Sequence, residues 1–314
     1  MGQQVVNVKQ PTIARRRMFE APQSAEGRRR ERLGWILTAP TIIIICIVAL
    51  YPVVRTFLLS FTNARLSTTR AVSFVGISNY TDLLTDRIFL QATWNTGVFT
   101  VFSVFFETIL GLIIALTIHS NFKGRGVVRT AMLIPWAIPT VVSARMWAWM
   151  YNDVFGVIND LLVTRLGLLD RKLAWVADPV LTLPSLIAID VWKTTPFMAL
   201  LLLAGLQVIP DDIYEAADID GASRWQQFWT MTLPLLRPAL MVALIFRTLD
   251  AFRVFDLPFV VKGTAPESIT LSILARQTMI DLARLGQGAT IAVVIFVFLM
   301  IIVGVYTRLI QVED

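Results

Sequence analysis

Residues 211–238 read DDIYEAADIDGASRWQQFWTMTLPLLRP and form a polar insert between two strongly apolar segments. Pro210 breaks the preceding helix, and Asp211 or Asp212 can cap a new helix and place negative charge in its first turn. Gly221 predicts the C-terminal stop of that helix. The sequence of the insert therefore predicts a short helix, a glycine turn and a second short helix between two membrane spans.

The second helix of the insert is predicted to begin at Ser223, which forms a capping-box pattern with Gln226. Its apolar stripe recurs at helical spacing and consists of Trp225, Phe228, Trp229 and Thr232. Leu233-Pro234 is expected to end this helix because proline cannot donate a backbone hydrogen bond.

The composition of the whole chain is that of a membrane protein. Only 16% of its 314 residues are charged, and the mean hydropathy is +0.67. The apolar residues occur in blocks of about twenty, which is the length that crosses a bilayer as a helix. Leu33–Val54, for example, is uncharged over 22 residues and Leu285–Thr307 over 23. The predicted fold class is therefore an all-α membrane protein with six transmembrane helices.

The predicted organisation has three parts, which are a basic cytoplasmic tail (1–32), a polytopic domain (33–310) and a C-terminal tail (311–314). The predicted spans are 33–59, 95–117, 130–150, 181–207, 239–261 and 285–307. Pro135 and Pro139 are expected to kink the third span.

An even number of spans places both termini on one side of the membrane. That side carries fourteen Lys and Arg residues in its tails and loops, against nine on the opposite side, and eight of the fourteen precede the first span. Positive residues flanking the first span favour a cytoplasmic location. We therefore expect a multi-pass protein of the cell membrane with both termini in the cytoplasm.

Several functional classes are excluded by what the chain lacks. The sequence pI is about 9.8, but many basic residues lie in the N-terminal tail, which indicates membrane orientation rather than nucleic-acid binding. The lone His119 and the single Cys46 give neither a metal cluster nor a disulfide framework. No G-x-x-x-x-G-K-[ST] string is present, so any ATP must be bound by another polypeptide. No set of catalytic residues indicates an enzyme.

Charged residues inside predicted spans indicate function, because burying a charge in lipid is costly unless it faces a cavity or a partner. The two clusters are Asp190 with Lys193 in the fourth span, and Arg247, Asp250, Arg253 and Asp256 in the fifth. At about 1.5 Å per residue, Asp190 and Asp250 both lie roughly 14–18 Å into a core of about 30 Å. Glu107 and Arg145, each alone in its span, are expected to be partners between helices.

The four charges of the fifth span allow two interpretations. Residues three apart are neighbours on a helix, so the alternating signs can form a self-neutralising ladder. Alternatively, some of the charges face a ligand cavity. Each step of three residues turns the helix by about 60°, so all four cannot face one ligand. We expect Asp250 and Arg247 to face the cavity, and Arg253 and Asp256 to be structural or at a subunit seam.

The insert also carries a family resemblance. The order Glu215-Ala216-Ala217, Asp220-Gly221-Ala222, Phe228, Leu233-Pro234 and Pro238 resembles the EAA loop of ABC importer membrane subunits. The resemblance implies that the insert is cytoplasmic and docks into a cleft of a separate ATPase subunit. The coupling residues that it implies are Glu215, Ala216, Ala217, Asp220, Gly221, Ala222, Trp225 and Phe228. The alternative is an ordinary amphipathic loop that packs on its own bundle.

Other segments resemble the sugar-type members of this importer family. The strings at 74–80 and 155–159 are similar to those of sugar permeases, and 191–197 with 246–253 are most similar to permeases for disaccharides such as trehalose or maltose. The substrate-cavity residues that the resemblance implies are Asp190, Trp192, Lys193, Thr194, Phe197, Phe246, Arg247 and Asp250. Hydroxyl, amide and charged groups hold sugar hydroxyls, while aromatic faces contact sugar C–H edges.

The resemblance further implies the partners of the chain. These are a second, homologous permease subunit, two ATPase subunits that bind ATP and Mg, and an extracytoplasmic sugar-binding protein, with no cofactor or metal in this chain. Two other functions stay open at the level of sequence. One is an ion-coupled secondary carrier, or another polytopic protein, that uses its intramembrane charges. The other is an ABC permease for a non-sugar solute such as glycerol-3-phosphate.

Overall fold

The computed structural model describes residues 25–66, 71–120 and 122–311. It divides into two units, Met1–Arg55 and Thr56–Asp314, which are described separately below. Most of the predicted basic tail and of the C-terminal tail lies outside the described residues.

The first unit is helical, and its apolar side chains are exposed. It contains α1 (Ala25–Ile45) and a π-helical turn (Cys46–Leu50), and α2 (Tyr51–Leu59) begins in it. The helix from Arg29 to Leu59 is long and apolar enough to cross a membrane, and none of its most apolar window is buried within the protein. A helix that is apolar on all sides is stable in lipid, where its backbone groups are already paired.

The second unit contains the remaining helices. They are α3 (Ser78–Thr85), α4 (Arg87–His119), α5 (Arg125–Met132), α6 (Ile134–Ala137), α7 (Thr140–Met150), α8 (Val157–Asn159), α9 (Pro179–Leu206), α10 (Asp211–Ile219), α11 (Arg224–Gln227), α12 (Leu233–Phe252), α13 (Asp256–Lys262), α14 (Leu271–Arg276) and α15 (Leu285–Gln311). Three π-helical segments lie at Asp160–Arg165, Phe228–Thr232 and Gln277–Asp281. The described residues form five helices long and apolar enough to span a membrane, or six if the bent pair around α6 and α7 counts as one span.

The core of this unit is built on the contact between α4 and α9. At Gly111 of α4, an added Cβ would lie 2.7 Å from Cγ of Met198 on α9, so only glycine permits this close approach. Towards the ends of both helices, Ile118, Leu206 and Leu236 are buried in one apolar cluster. That cluster also packs against α10, and it therefore fixes the insert to the end of the bundle where α4 and α9 finish.

The third predicted span is broken rather than gently kinked. Its two arms, Arg125–Ala137 and Thr140–Met150, meet at 88°. Ile138 adopts an extended conformation, as expected for a residue that precedes a proline, and Pro139 then occupies the N-cap of α7. The expectation of a proline bend is confirmed at Pro139, where the bend is larger than a kink, whereas Pro135 lies in the first turn of α6 within the first arm.

The fifth predicted span differs from the structure at both ends. The helix does not end at Leu233-Pro234, and this expectation is wrong. The π-helical segment Phe228–Thr232 leads directly into α12, and Pro234 lies in the first turn of α12, directly after the change in hydrogen-bond register. At the other end α12 stops at Phe252, and α13 is a separate short helix.

The first helix of the insert agrees with the sequence except at its cap. Pro210 holds the N-cap position without a side-chain hydrogen bond, and Asp211 and Asp212 lie in the first turn, so the expected aspartate cap is wrong. Gly221 has φ +76°, a left-handed conformation that suits glycine after a helix. Ser223 and Gln226 form both bonds of the predicted capping box.

Candidate functional site

A buried ion pair joins α4 to α12 near the middle of the bundle. Nε of Arg247 donates to Oε2 of Glu107 at 2.5 Å, and Nη2 donates to Oε1 at 2.7 Å. Arg247 is 2% exposed and Glu107 is fully buried. This two-bond geometry matches the planar fork of a guanidinium to a carboxylate. Glu107 is therefore a partner between helices, as its isolated position in the sequence predicts.

Two further carboxylates complete the network around Arg247. Nη2 donates to Oδ2 of Asp190 on α9 at 3.2 Å, and Nη1 donates to Oδ2 of Asp250 at 2.5 Å. Thr194 also donates its hydroxyl to Oε1 of Glu107 at 2.5 Å. The two charged clusters thus meet at one depth, as the residue count predicts. One guanidinium is shared among three carboxylates. Arg247 is therefore not part of a charge ladder confined to its own helix.

A cavity of about 430 Å³ lies beside this network. This open cavity is bounded by the break between α6 and α7, by the middle of α9 and by the segment where α12 ends and α13 begins. Its lining residues are Trp136, Thr140, Asp190, Lys193, Thr194, Asp250, Ala251, Arg253, Val254, Phe255, Asp256 and Leu257. A cavity of this size, with several convergent polar groups, has the character of a small-molecule site.

The predicted cavity residues divide into two groups in the structure. Asp190, Lys193, Thr194 and Asp250 line the cavity. The other four do not, and they are Trp192, Phe197, Phe246 and Arg247.

These four side chains have other surroundings. Arg247 lies behind the cavity wall with its guanidinium occupied by carboxylates. Trp192 packs edge-on against Trp147, with ring centroids 5.3 Å apart. Phe197 stacks on Trp136 at 5.7 Å and so supports a residue that does line the cavity. Phe246 is 59% exposed on the outside of α12. Four of the eight residues that the resemblance implies therefore line this cavity, and four do not.

Arg253 and Asp256 line the cavity, although they were expected to be structural or at a subunit seam. That expectation assumed one continuous helix through both residues. Because α12 stops at Phe252 and Phe255 leaves helical geometry at φ −132°, helical spacing does not apply beyond this point. Pro258 was the signal that could have revealed the break, since proline is tolerated in the first turn of a new helix.

Lys193 ties α9 to the broken third span. Its Nζ donates to the carbonyl of Ile138 at 3.0 Å and to that of Trp136 at 3.4 Å. These carbonyls lie at the helix break, where regular backbone bonding is interrupted. The lysine therefore satisfies backbone groups at the break while it lines the cavity.

Arg145 does not pair between helices as expected. Its side chain is exposed on α7, and it forms no ion pair with any part of the chain that the structure describes.

The predicted coupling residues lie on the outside of the insert, with one clear exception. Glu215, Ala216, Asp220 and Gly221 are exposed, Ala222 and Phe228 are half-buried, and Trp225 is 70% exposed. Ala217 is buried and contacts the protein's own interior.

The turn of the insert is held by a buried amide. Nε2 of Gln227 donates to Oδ1 of Asp218 at 2.5 Å and to the carbonyl of Ala222 at 3.0 Å. Gln227 is 2% exposed. The insert is thus internally braced, and it presents an exposed edge of acidic and aromatic side chains.

The two loop strings that resemble sugar permeases have structural roles here. Nδ2 of Asn79 donates to the carbonyls of Ser60 and Thr62. Asn159 is fully buried, receives the indole N–H of Trp175 at 3.0 Å and bonds both backbone groups of Leu173. Asn79 therefore ties α3 to the residues that follow α2, and Asn159 ties α8 to the segment that precedes α9. Within the described ranges, no group of three or more His, Cys, Asp or Glu side chains is placed to hold a metal ion.

Comparison with known proteins identifies the family. A sequence model of the inner membrane component of binding-protein-dependent transport systems matches residues 107–311. The chain belongs to this family. This inner membrane component is thus a multi-pass ABC permease, and the resemblance seen in the EAA loop is confirmed.

Relatives of this permease include proteins named for sugar transport. A trehalose/maltose transport system permease of Thermococcus litoralis is 43% identical, over 89% of this chain and 94% of its own length. A sulfoquinovosyl glycerol transport system permease of Agrobacterium fabrum is 38% identical, over 90% and 91%. A trehalose transport system permease of Mycobacterium tuberculosis is 37% identical, over 95% of both chains.

Solved structures share the fold of this permease. A chain of a bacterial ABC transporter that imports the acidic polysaccharide alginate superimposes with a TM-score of 0.78 at 23% identity, over 90% of this chain and 96% of that one. A second structure of the alginate transporter, in complex with a periplasmic protein that holds an alginate pentasaccharide, gives the same TM-score at 24% identity, over 90% and 95%. These similarities establish the all-α permease architecture.

Proposed function

We propose that the chain is one of two permease subunits of an ATP-driven importer for a neutral disaccharide such as trehalose or maltose. The observation that carries this proposal is the cavity of about 430 Å³ beside the buried Arg247 network. Its position midway along the bundle suits a solute in transit, and its volume lies within the range of about 300–1,000 Å³ typical of small-molecule sites.

The charges of the lining favour a neutral ligand. Three carboxylates, from Asp190, Asp250 and Asp256, stand against the cations of Lys193 and Arg253. Behind the wall, the charge of Arg247 is matched by that of Glu107, so the balance stays negative. An anion such as glycerol-3-phosphate or a sulfonated sugar would meet an excess of negative charge, whereas sugar hydroxyls both donate to carboxylates and accept from cations. Trp136 and Phe255 supply aromatic surface for the C–H edges of a sugar. Relatives named for trehalose and maltose transport support this substrate class.

The insert is the proposed contact with an ATPase subunit, which binds ATP and Mg. The exposed Glu215 and Asp220 offer charge-assisted hydrogen bonds to a partner, and Trp225 offers a rigid aromatic anchor. The braced turn at Gln227 lets the insert move as one piece with α12, because the helix continues from the insert through the π-helical segment. The proposed assembly contains a homologous second permease subunit, two ATPase subunits and an extracytoplasmic sugar-binding protein.

The proposed orientation places the insert and both chain termini in the cytoplasm. The basic residues before the first span support this orientation. The insert is fixed to the end of the bundle where α4 finishes, and that end would then face the ATPase.

Uptake by the assembled transporter in proteoliposomes tests the substrate and the energy source. We expect ATP-dependent uptake of a labelled disaccharide with its binding protein present, and no inhibition by excess glycerol-3-phosphate. Asp256→Asn removes a cavity carboxylate and should raise KM for transport about tenfold, which corresponds to the loss of one charge-assisted hydrogen bond. Asp82→Asn, on the exposed side of α3, is the matched control and should leave KM unchanged.

Two results would contradict the proposal. Uptake by this chain alone under an ion gradient, without ATP, would indicate a secondary carrier. Competition by glycerol-3-phosphate would indicate a permease for anionic solutes.

A further inference from the structure

A second cavity, of about 700 Å³, lies at the end of the bundle where the insert packs. Its walls come from the ends of α4 and α9, from α5 and from α10 and α11 of the insert. We call this cavity the basic cleft, because its charged lining consists of Arg125, Arg129 and Arg224 against the single carboxylate of Asp211. It is separate from the cavity beside Arg247, with which it shares no lining residue.

One hydrogen-bond donor in the basic cleft, on Arg129, lacks an acceptor in the described part of the chain. Nε of Arg129 is buried and has no hydrogen-bond partner among the described residues. A buried donor without a partner costs about 1–3 kcal/mol, so such a group in a native protein indicates an acceptor supplied from outside the chain. Arg224 differs, because its Nη2 lies 3.7 Å from Oδ2 of Asp218 in an exposed ion pair. Of these two arginines, Arg129 is therefore the one whose buried donor an anionic ligand would satisfy.

The surroundings of the basic cleft indicate where such an anion comes from. Helix α4 ends at His119 after 33 residues, which is enough to cross a bilayer, and α5 begins only six residues later at Arg125. On α5, Val127 and Val128 are 75% and 44% exposed between the two arginines. Arginines interleaved with exposed apolar side chains, at a membrane boundary, suit a charged headgroup together with its acyl chains.

We propose that the basic cleft binds a phosphate-bearing anion, which its placement identifies as the headgroup of an anionic phospholipid from the adjoining leaflet. The guanidiniums of Arg125 and Arg129 hold the phosphate, because arginine matches the geometry of phosphate oxygens. The walls of the cleft come from both α5 and the insert. A bound headgroup therefore bridges the broken third span to the insert. The proposal depends on the membrane location of the chain and does not depend on which sugar is carried.

Native mass spectrometry of the purified, assembled transporter tests this site. The complex is incubated with phosphatidylglycerol or with phosphatidylcholine, and the lipid that stays bound is measured. We expect selective retention of phosphatidylglycerol, weakened about tenfold by Arg129→Gln through the loss of one charge-assisted bond. Arg129→Lys keeps the charge and should retain more lipid than Arg129→Gln, which separates loss of charge from a folding defect. Lys123→Gln removes a nearby charge outside the cleft and should change nothing.

The following outcomes would each contradict the proposal. Equal retention by the wild type and Arg129→Gln, or an equal loss in Lys123→Gln, overturns a specific site. Displacement of the lipid by millimolar inorganic phosphate keeps the phosphate chemistry and overturns the lipid as its source. A loss of ATPase subunits from Arg129→Gln complexes with unchanged lipid retention overturns the proposal in favour of an acidic protein segment in the cleft.

Discussion

Replacing Arg247 with methionine should destabilise the permease strongly. The guanidinium makes four hydrogen bonds to three carboxylates, and Arg247 and Glu107 are both almost completely buried. Methionine fills a similar volume but leaves Glu107 and Asp190 without their counter-charge. Removing one partner from a buried ion pair costs about 3–5 kcal/mol, because the remaining charge is left uncompensated. At about 2–4 °C per kcal/mol, the thermal midpoint should fall by about 6–20 °C.

The assay is thermal unfolding of the purified transporter in lipid nanodiscs, followed by tryptophan fluorescence. Glu107→Gln in the Arg247→Met background should recover part of the loss, since the amide removes the uncompensated charge. Arg145→Met is the matched control, and its exposed position predicts a change within about 0.5 kcal/mol. Strictly additive effects of Arg247→Met and Glu107→Gln, with a coupling energy below about 0.5 kcal/mol, would refute the reasoning.

Three further predictions address the turn, the packing and the pH response. Gly221→Val forces a β-branched residue into φ +76° and should reduce coupled transport while membrane insertion stays normal. Gly221→Asn should retain transport, because asparagine tolerates this conformation. Equal uptake by the two variants would contradict this expectation. Gly205→Leu would collide with Ala239 and Leu236 and should cost about 1–3 kcal/mol in unfolding measurements, while Gly97→Ala, with open space around it, should cost nothing. The hydrogen bond from Lys262 lowers the pKa of Glu267 below its usual 4.5. The folded state therefore gains stability from this carboxylate above pH 4.5 and loses it as the pH falls through the lowered pKa. Glu267→Gln should lower the thermal midpoint at pH 7, and the difference from the wild type should vanish at acidic pH. A difference that persists at acidic pH would contradict the role of the charged carboxylate.

Local patterns in the sequence predicted the insert in most details. A proline break, a glycine in left-handed conformation and a Ser223–Gln226 capping box each depend on residues within a few positions of one another, and all three are present. The missed continuation past Pro234 depends on a π-helical segment, which changes the hydrogen-bond register without a clear mark in the sequence.

The candidate cavity was predictable only in part. The charges of Asp190 and Asp250 revealed its depth, because isolated charges in apolar spans need partners. The side of the helix that each residue occupies depends on where the helix ends, and hydropathy does not show that α12 stops at Phe252. Trp136 was not predicted because its position in the cavity follows from the 88° bend between distant segments.

The bond from Lys193 to the carbonyls of Ile138 and Trp136 connects ligand occupancy to the shape of the third span. The ammonium has three protons and these two carbonyls accept from it, so a solute hydroxyl can accept the third proton while the bonds at the bend are kept. The same positive group then contacts both the solute and the backbone of the bend. By reciprocity, any change in the bend that moves this ammonium alters the affinity of the cavity, and a bound solute biases the bend by the same free energy.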